Sequence, residues 1–225
     1  MLGSFIRPNN ANAFNQLTAD PSAFLRRFPL RVFGSETESL TLNAQIGPRQ
    51  QSNPLRTATL LGNSMMVSTH SFDIRTPRSV GINSQGAPHT FNAHFIHMTD
   101  SPPAEVQLYP LPAGSPSIMI TPLLSGCCIV IQPGDNGLIE VAHVRPSKGM
   151  PGAQLREALV AQFPNAVVYG PGADYDSSTQ RVTIVGVFKN QREWRLYAQV
   201  QVDDTYNYQV QGAQRIYPPP AAQLS

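Results

Sequence analysis

What this chain has little of narrows its function first. Its 225 residues include two cysteines, and they are adjacent. Neighbouring Cα atoms lie about 3.8 Å apart, closer than an unstrained disulfide allows, so Cys127 and Cys128 form neither a disulfide framework nor a Cys-x-x-Cys redox pair. Unpaired cysteines point to a reducing compartment. Charge is scarce, at 13% of residues, and nearly balanced, at +2. That excludes the basic stripe of a nucleic-acid binder. No apolar run approaches the roughly 18 residues of a membrane span. Residues 1–7 lack the basic start and apolar centre of a signal peptide, so delivery outside the cell is expected to need an injection system or autonomous uptake.

Proline and glycine, by contrast, are abundant, at 21 and 16 residues. They disfavour long helices, and with 41% hydrophobic residues they favour one loop-rich, strand-rich globular domain. Residues 1–27, rich in Asn, Ala and Gln, read as a flexible leader holding at most short helices at 11–17 and 22–27. The domain is placed at 28–212, and a proline-rich tail at 213–225.

Within the domain, Leu40, Leu42, Ala44 and Ile46 alternate with polar residues as in a half-buried strand. A further strand is expected at 57–61, an irregular connection over 71–90, and strands at 91–98, 106–109, 117–120 and 166–169. Residues 182–189 and 194–202 form a hairpin in which Trp194, Leu196, Ala198, Val200 and Val202 share one face. Residues 151–163 form the one clear amphipathic helix, with Leu155, Leu159 and Phe163 spaced by four and Pro164 stopping it. The expected architecture is α+β and β-rich: an antiparallel β-sandwich core with one or two covering helices.

Three motifs are weighed and set aside. His89, His94 and His97 suggest a metal site, but in one strand His94 and His97 face opposite ways, and His89 and His97 lie roughly 26 Å apart. Asp174 and Asp176 open like a calcium loop, yet no Gly and Glu follow at the required spacing. Gly170-Pro171-Gly172 is followed by no lysine or helix and is a turn. No metal and no cofactor is expected.

The chemistry concentrates in residues 121–143. An apolar run from Cys127 to Gln132 and a second from Leu138 to Val144 flank a turn cluster, a hairpin pattern. Placing Gln132 opposite Leu138 sets Cys127 opposite His143, on one face. An imidazole beside a thiol takes its proton and makes it a nucleophile. Gly126 allows a tight turn that brings backbone N–H groups of the Leu124, Ser125 and Gly126 stretch towards an oxyanion. Thr121, ahead of Pro122, stands where its hydroxyl or carbonyl holds the imidazole in one tautomer. Cys128 points the other way and is assigned to packing; Arg145 is assigned to the solvated rim.

Leu124-Ser125-Gly126-Cys127 resembles the Leu-Ser-Gly-Cys motif of bacterial toxin deamidases, the cytotoxic necrotising factor catalytic domain and the Burkholderia lethal factor. The likeness covers this hairpin. It implies Cys127 as nucleophile, His143 on the following strand as its partner, and Thr121 in the place of an upstream Thr used by the lethal factor. It agrees with a β-sandwich core. It further implies a toxin or effector, secreted or injected into the host cytoplasm, that converts a glutamine of a host protein to glutamate without a cofactor. Known relatives act on Rho-type GTPases or on an RNA helicase of translation initiation. A monomer is expected. The same Cys-His pair also serves transglutaminases and proteases. A non-catalytic effector binding a host protein through sheet edges or the proline-rich tail is the alternative from another class.

Overall fold

The structure, a computed structural model, describes residues 10–48, 71–78, 89–135, 138–190, 192–204 and 207–220. Helices α1 (Asn10–Ala19) and α2 (Pro21–Arg27) precede strands β1 (Leu30–Phe33), β2 (Thr41–Pro48), β3 (Phe72–Arg75) and β4 (His89–Phe95). Short strands β5 (Met98–Thr99), β6 (Tyr109–Leu111) and β7 (Ile118–Ile120) lead to the hairpin of β8 (Cys128–Pro133) and β9 (Ile139–Val144). Then come helix α3 (Gly152–Gln162) and strands β10 (Val167–Tyr169), β11 (Gln180–Lys189), β12 (Glu193–Asp204) and β13 (Asn207–Tyr217).

The strands make two sheets. The larger runs β1-β3-β2-β4-β7-β11-β12-β13, and the smaller runs β10-β8-β9-β5, with β6 also paired to β9. The fold is α+β and β-rich. Its sheets are mixed, which corrects the expectation of antiparallel pairing: β1–β3, β4–β7 and β5–β9 are parallel. One cause is visible at the end of β4. There β4 and β7 run side by side, and after Phe95 and Ile120 both chains leave the larger sheet for the smaller. They enter it on opposite flanks of β9, as β5 and β8.

Period-two alternation distributes the apolar side chains among three cores. Between the sheets, Ile129, Ile131, Ile139 and Val141 meet Met119, Ile184, Trp194, Leu196 and Ala198. On the outer face of the smaller sheet, Cys128, Val130, Ala142 and Val144 lie under Leu155 and Leu159 of α3. The larger sheet curls, and its other face, with Ile118, Ile120, Val185 and Val187, packs with Leu17, Phe24 and Leu25 from the first two helices.

The leader expected over residues 1–27 is, from residue 10 onward, two packed helices. Asp20 caps α2 by accepting a hydrogen bond from Ala23 N at 2.9 Å, and Pro21 suits its first turn. Ala13, Leu17 and Leu25 are fully buried. The apolar spacing is short and sits among Asn and Gln, which concealed it. The expected boundary at 212 is also corrected, because β13 continues to Tyr217, paired with Leu196. Within 71–90, β3 replaces part of the irregular connection; its buried Asp73 bridges Arg31 at 3.0 Å and Arg75 at 2.8 Å. The strand expected at 57–61 lies outside the described residues.

Strand β12 alternates as expected, but its polar face is not a wet face. Gln199 and Gln201 are fully buried. The Gln199 amide donates to the carbonyls of Leu25 and Phe28, and its oxygen accepts from Leu30 N at 2.8 Å. Gln201 donates to Leu30 O at 2.7 Å. These bonds satisfy backbone groups where α2 turns into β1. Gln199→Leu strands two carbonyls and one N–H. At about 1–3 kcal/mol per buried unpaired group, a loss on the order of 3 kcal/mol is expected, lowering Tm by roughly 6–12 °C. Thermal unfolding checks this, and an unchanged Tm contradicts it.

Candidate active site

The site forms where the two chains cross between sheets. Past β7, Pro122 keeps the chain extended, and Leu124 makes a two-way bridge with Val182: Leu124 N donates at 2.8 Å and Val182 N at 3.0 Å. This pins the start of the motif to the larger sheet. Gly126 then turns the chain with φ of +121°, a left-handed value that side-chain-bearing residues rarely adopt. An added Cβ would meet nothing within 4 Å, so backbone conformation rather than space requires glycine here. Cys127 follows with its side chain in the inter-sheet core, 6% exposed.

The hairpin register differs from the expected one by two residues. Pro133 pairs with Ile139, and Ile129 rather than Cys127 lies opposite His143. Pro133 was expected in the loop, as the first residue of the turn cluster between the two apolar runs. At this strand end the N–H that a proline lacks is not needed, since the adjacent ladder bond runs from Gly134 N to Leu138 O at 2.9 Å. A shift of two preserves facing, whereas a shift of one inverts it. Cys127, the residue before β8, has its side chain in the same inter-sheet core as Ile129, which lies opposite His143, so Cys127 and His143 still share a face.

His143 is fully buried. Its Nδ1 lies 2.7 Å from the Thr121 hydroxyl, which in turn donates to Ile96 O at 2.8 Å. A hydroxyl has one proton. Spent on Ile96, it leaves the oxygen to accept, so Nδ1 carries the imidazole proton and Nε2 the lone pair. Nε2 is buried and has no hydrogen-bond partner among the described residues. Burial pushes the His143 pKa down to about 3, so the ring is neutral. A neutral imidazole with a free Nε2 lone pair has the form a general base requires.

The thiol is also neutral. Burial raises its pKa, opposed by the Ser125 backbone and by the charge of Arg145. Its sulfur lies 3.6 Å from Met98 Sδ, and half-buried Met98 is the β5 residue paired with His143. The resting pair is thus uncharged and closed, not a preformed thiolate–imidazolium. Cys128 faces away, fully buried beneath α3, with its thiol pushed up to about 12, chiefly by burial. A Cβ added at Gly170 would come 2.5 Å from its sulfur, which accounts for that glycine.

Tyr175 is a residue that the sequence did not single out: only its neighbours Asp174 and Asp176 stood out, as the rejected calcium loop. It is 5% exposed, and its hydroxyl accepts from Gly126 N at 2.9 Å and donates to Cys127 O at 2.8 Å. Of the motif amides, that of Gly126 is therefore engaged, and the Ser125 backbone lowers the thiol pKa. The one local sign was an aromatic ring between two aspartates. Gly152 at the start of α3 packs on the Gly126 carbonyl, and a cleft of about 490 Å³ between residues 151–153 and 171–177 reaches the motif through Gly152 and Tyr175.

The remaining residues stand apart. Arg145 is ion-paired with exposed Glu36 and Asp100 at 3.0 and 3.1 Å. His89 packs on Phe14, His94 lies against Tyr109 and Trp194, and His97 lies edge-on to Phe95. Among the described residues no three His, Cys, Asp or Glu side chains gather as metal ligands. No family model matches the chain, and no curated protein matches it significantly.

Two outcomes follow from this geometry. Unfolded, His143 takes a proton near pH 6.5; folded, it resists until about pH 3. Between those values the unfolded state holds more protons, so stability falls as pH drops below 6.5. The slope from this one group reaches about 1.4 kcal/mol per pH unit, and the fall ends near pH 3. Urea unfolding at a series of pH values should show a shallower slope for His143→Gln; equal slopes rule this histidine out. Removing the shield, Met98→Ala should speed iodoacetamide alkylation of Cys127 severalfold with the circular dichroism spectrum unchanged. An unaltered rate means that Met98 does not close the site.

Proposed function

We propose that this chain is a thiol hydrolase that deamidates a glutamine side chain of a host protein, as a toxin or effector acting inside the host cell. The observation that carries the reading is the Thr121–His143 hydrogen bond, which leaves the Nε2 lone pair on the face that holds Cys127. A merely structural histidine has no need of a fixed tautomer with an unused base nitrogen at its other end.

In this reading the target carboxamide displaces Met98. Nε2 takes the Cys127 proton as sulfur attacks the carboxamide carbon, and the Nδ1–H donates to Thr121 throughout. The tetrahedral intermediate collapses as His143 returns its proton to the leaving nitrogen, and ammonia departs. Water, deprotonated by Nε2, then cleaves the thioester to release glutamate and restore the thiol. Threonine, unlike aspartate, adds no charge to stabilise the imidazolium, so the proton moves only as sulfur bonds to carbon. The Leu124–Cys127 motif supports glutamine as the substrate and water as the acceptor; an amine acceptor makes the same intermediate a transglutaminase step.

Ammonia release from a host-cell lysate, with mass-spectrometric mapping of new glutamates, tests the reading. Cys127→Ser should abolish release and Cys128→Ala retain it. Thr121→Val, which frees the tautomer, should lower the rate on the order of 10²-fold. Release that persists in folded Cys127→Ser sinks the proposal, and product found only when amines are added reassigns the acceptor.

A further inference from the structure

We infer that Tyr175 is a positioning residue of the thiol site, its hydroxyl holding the Gly126–Cys127 backbone in the one arrangement that keeps the sulfur on the His143 face. Gly126 makes such a hold necessary. At φ of +121° and with open space around its Cα, its dihedrals resist rotation less than those of any other residue type, and the nucleophile is its immediate neighbour. One hydroxyl fastens both sides of this weak point, accepting from the N–H of Gly126 and donating to the C=O of Cys127. Only a neutral phenol can do both, and burial keeps the Tyr175 proton in place well above its ordinary range.

Tyr175 is itself held by a built frame. Its ring stacks on Tyr169 with centroids 6.2 Å apart, and Tyr169 pairs with Ile129 on the strand that begins beside Cys127. Its carbonyl accepts from Gly172 N at 3.1 Å. Asp174 clasps the turn, accepting from Gly170 N at 2.8 Å and pairing with Arg156 of α3 at 3.3 Å. The hydroxyl is thus referenced to the strand and helix that flank the motif. With the Gly126–Cys127 backbone held, the sulfur keeps its place beside the Ser125 backbone, whose influence lowers the thiol pKa against the effect of burial.

This inference rests on Cys127 as the nucleophile, but its test reads the thiol directly and needs no substrate. The pH profile of iodoacetamide alkylation at Cys127, resolved from Cys128 by fragment ions, gives the apparent thiol pKa. Tyr175→Phe keeps the ring and removes only the hold. The apparent pKa is expected to rise by about one unit, or tenfold less thiolate at neutral pH. Tyr169→Phe, which removes the neighbouring hydroxyl, should leave the profile in place. A purely structural tyrosine would lower Tm without moving the thiol pKa.

A folded Tyr175→Phe whose pKa matches or falls below wild type overturns the inference, as does an equal shift in Tyr169→Phe. If the phenylalanine variant does not fold, 3-fluorotyrosine at position 175 keeps ring and bonds but changes the phenol's strength as a donor. A displaced profile then supports the inference, and a superposed one overturns it. Ammonia release that depends on Cys127 while the Tyr175 variants leave the profile unmoved would remove this inference and leave the deamidase reading standing.

Discussion

The single proton of the Thr121 hydroxyl fixes more of this molecule than any other. Thr121 and Ile96 follow neighbouring strands of the larger sheet, and His143 belongs to the smaller one. Donating to Ile96 and accepting from His143, the hydroxyl joins two chain crossings to the strand between them. It is fully buried, where an unpaired polar group is costly. Moving it would unpair a carbonyl, a hydroxyl and an imidazole together. The same bond that closes the gap between sheets decides which nitrogen of His143 keeps the lone pair, so architecture and tautomer rest on one atom pair.

Burial shapes the chemistry in a second way. Excluding water lowers the basicity of His143 and raises the pKa of Cys127, so neither charged form exists at rest. A thiol kept as a thiol is slow to oxidise or alkylate. In the proposed mechanism its reactivity appears only when a bound group replaces the Met98 thioether. The polar floor beneath the larger sheet obeys the same rule. Gln199 is tolerated there because backbone groups of the α2–β1 turn supply its bonds, and the Gln201 amide N–H donates to Leu30 O.

Much of this was legible in sequence, and the failures have physical causes. The β8–β9 hairpin and its facing were readable because strand periodicity survives a shift of two. The register was not, because a proline at a strand end and a proline in a loop look alike. Thr121 was legible through its place ahead of the motif, and Cys128 through alternation. The mixed sheets and the two N-terminal helices were hidden: parallel pairing joins segments far apart in sequence, and short helices among Asn and Gln carry little apolar pattern. Tyr175 was illegible in principle, since its bonds to Gly126 and Cys127 span almost fifty positions and leave no local periodicity. The burial of the β12 glutamines was not legible, because alternation separates two faces without saying what covers each.

The hairpin tip lies at the far end of its strands from the thiol, and this sets how the arrangement can drift through evolution. Residues added in equal number to β8 and β9 lengthen both strands beyond the site and leave Cys127 and His143 where they are. The gap between cysteine and histidine can therefore change freely in steps of two. The stretch from Thr121 to Cys127 has no such freedom, because it crosses from one sheet to the other with Leu124 pinned to Val182 on the way. Distant kin of this chain should keep the threonine-to-cysteine spacing rigid and vary the cysteine-to-histidine spacing. A search that holds the first constant and lets the second float is the one suited to finding them.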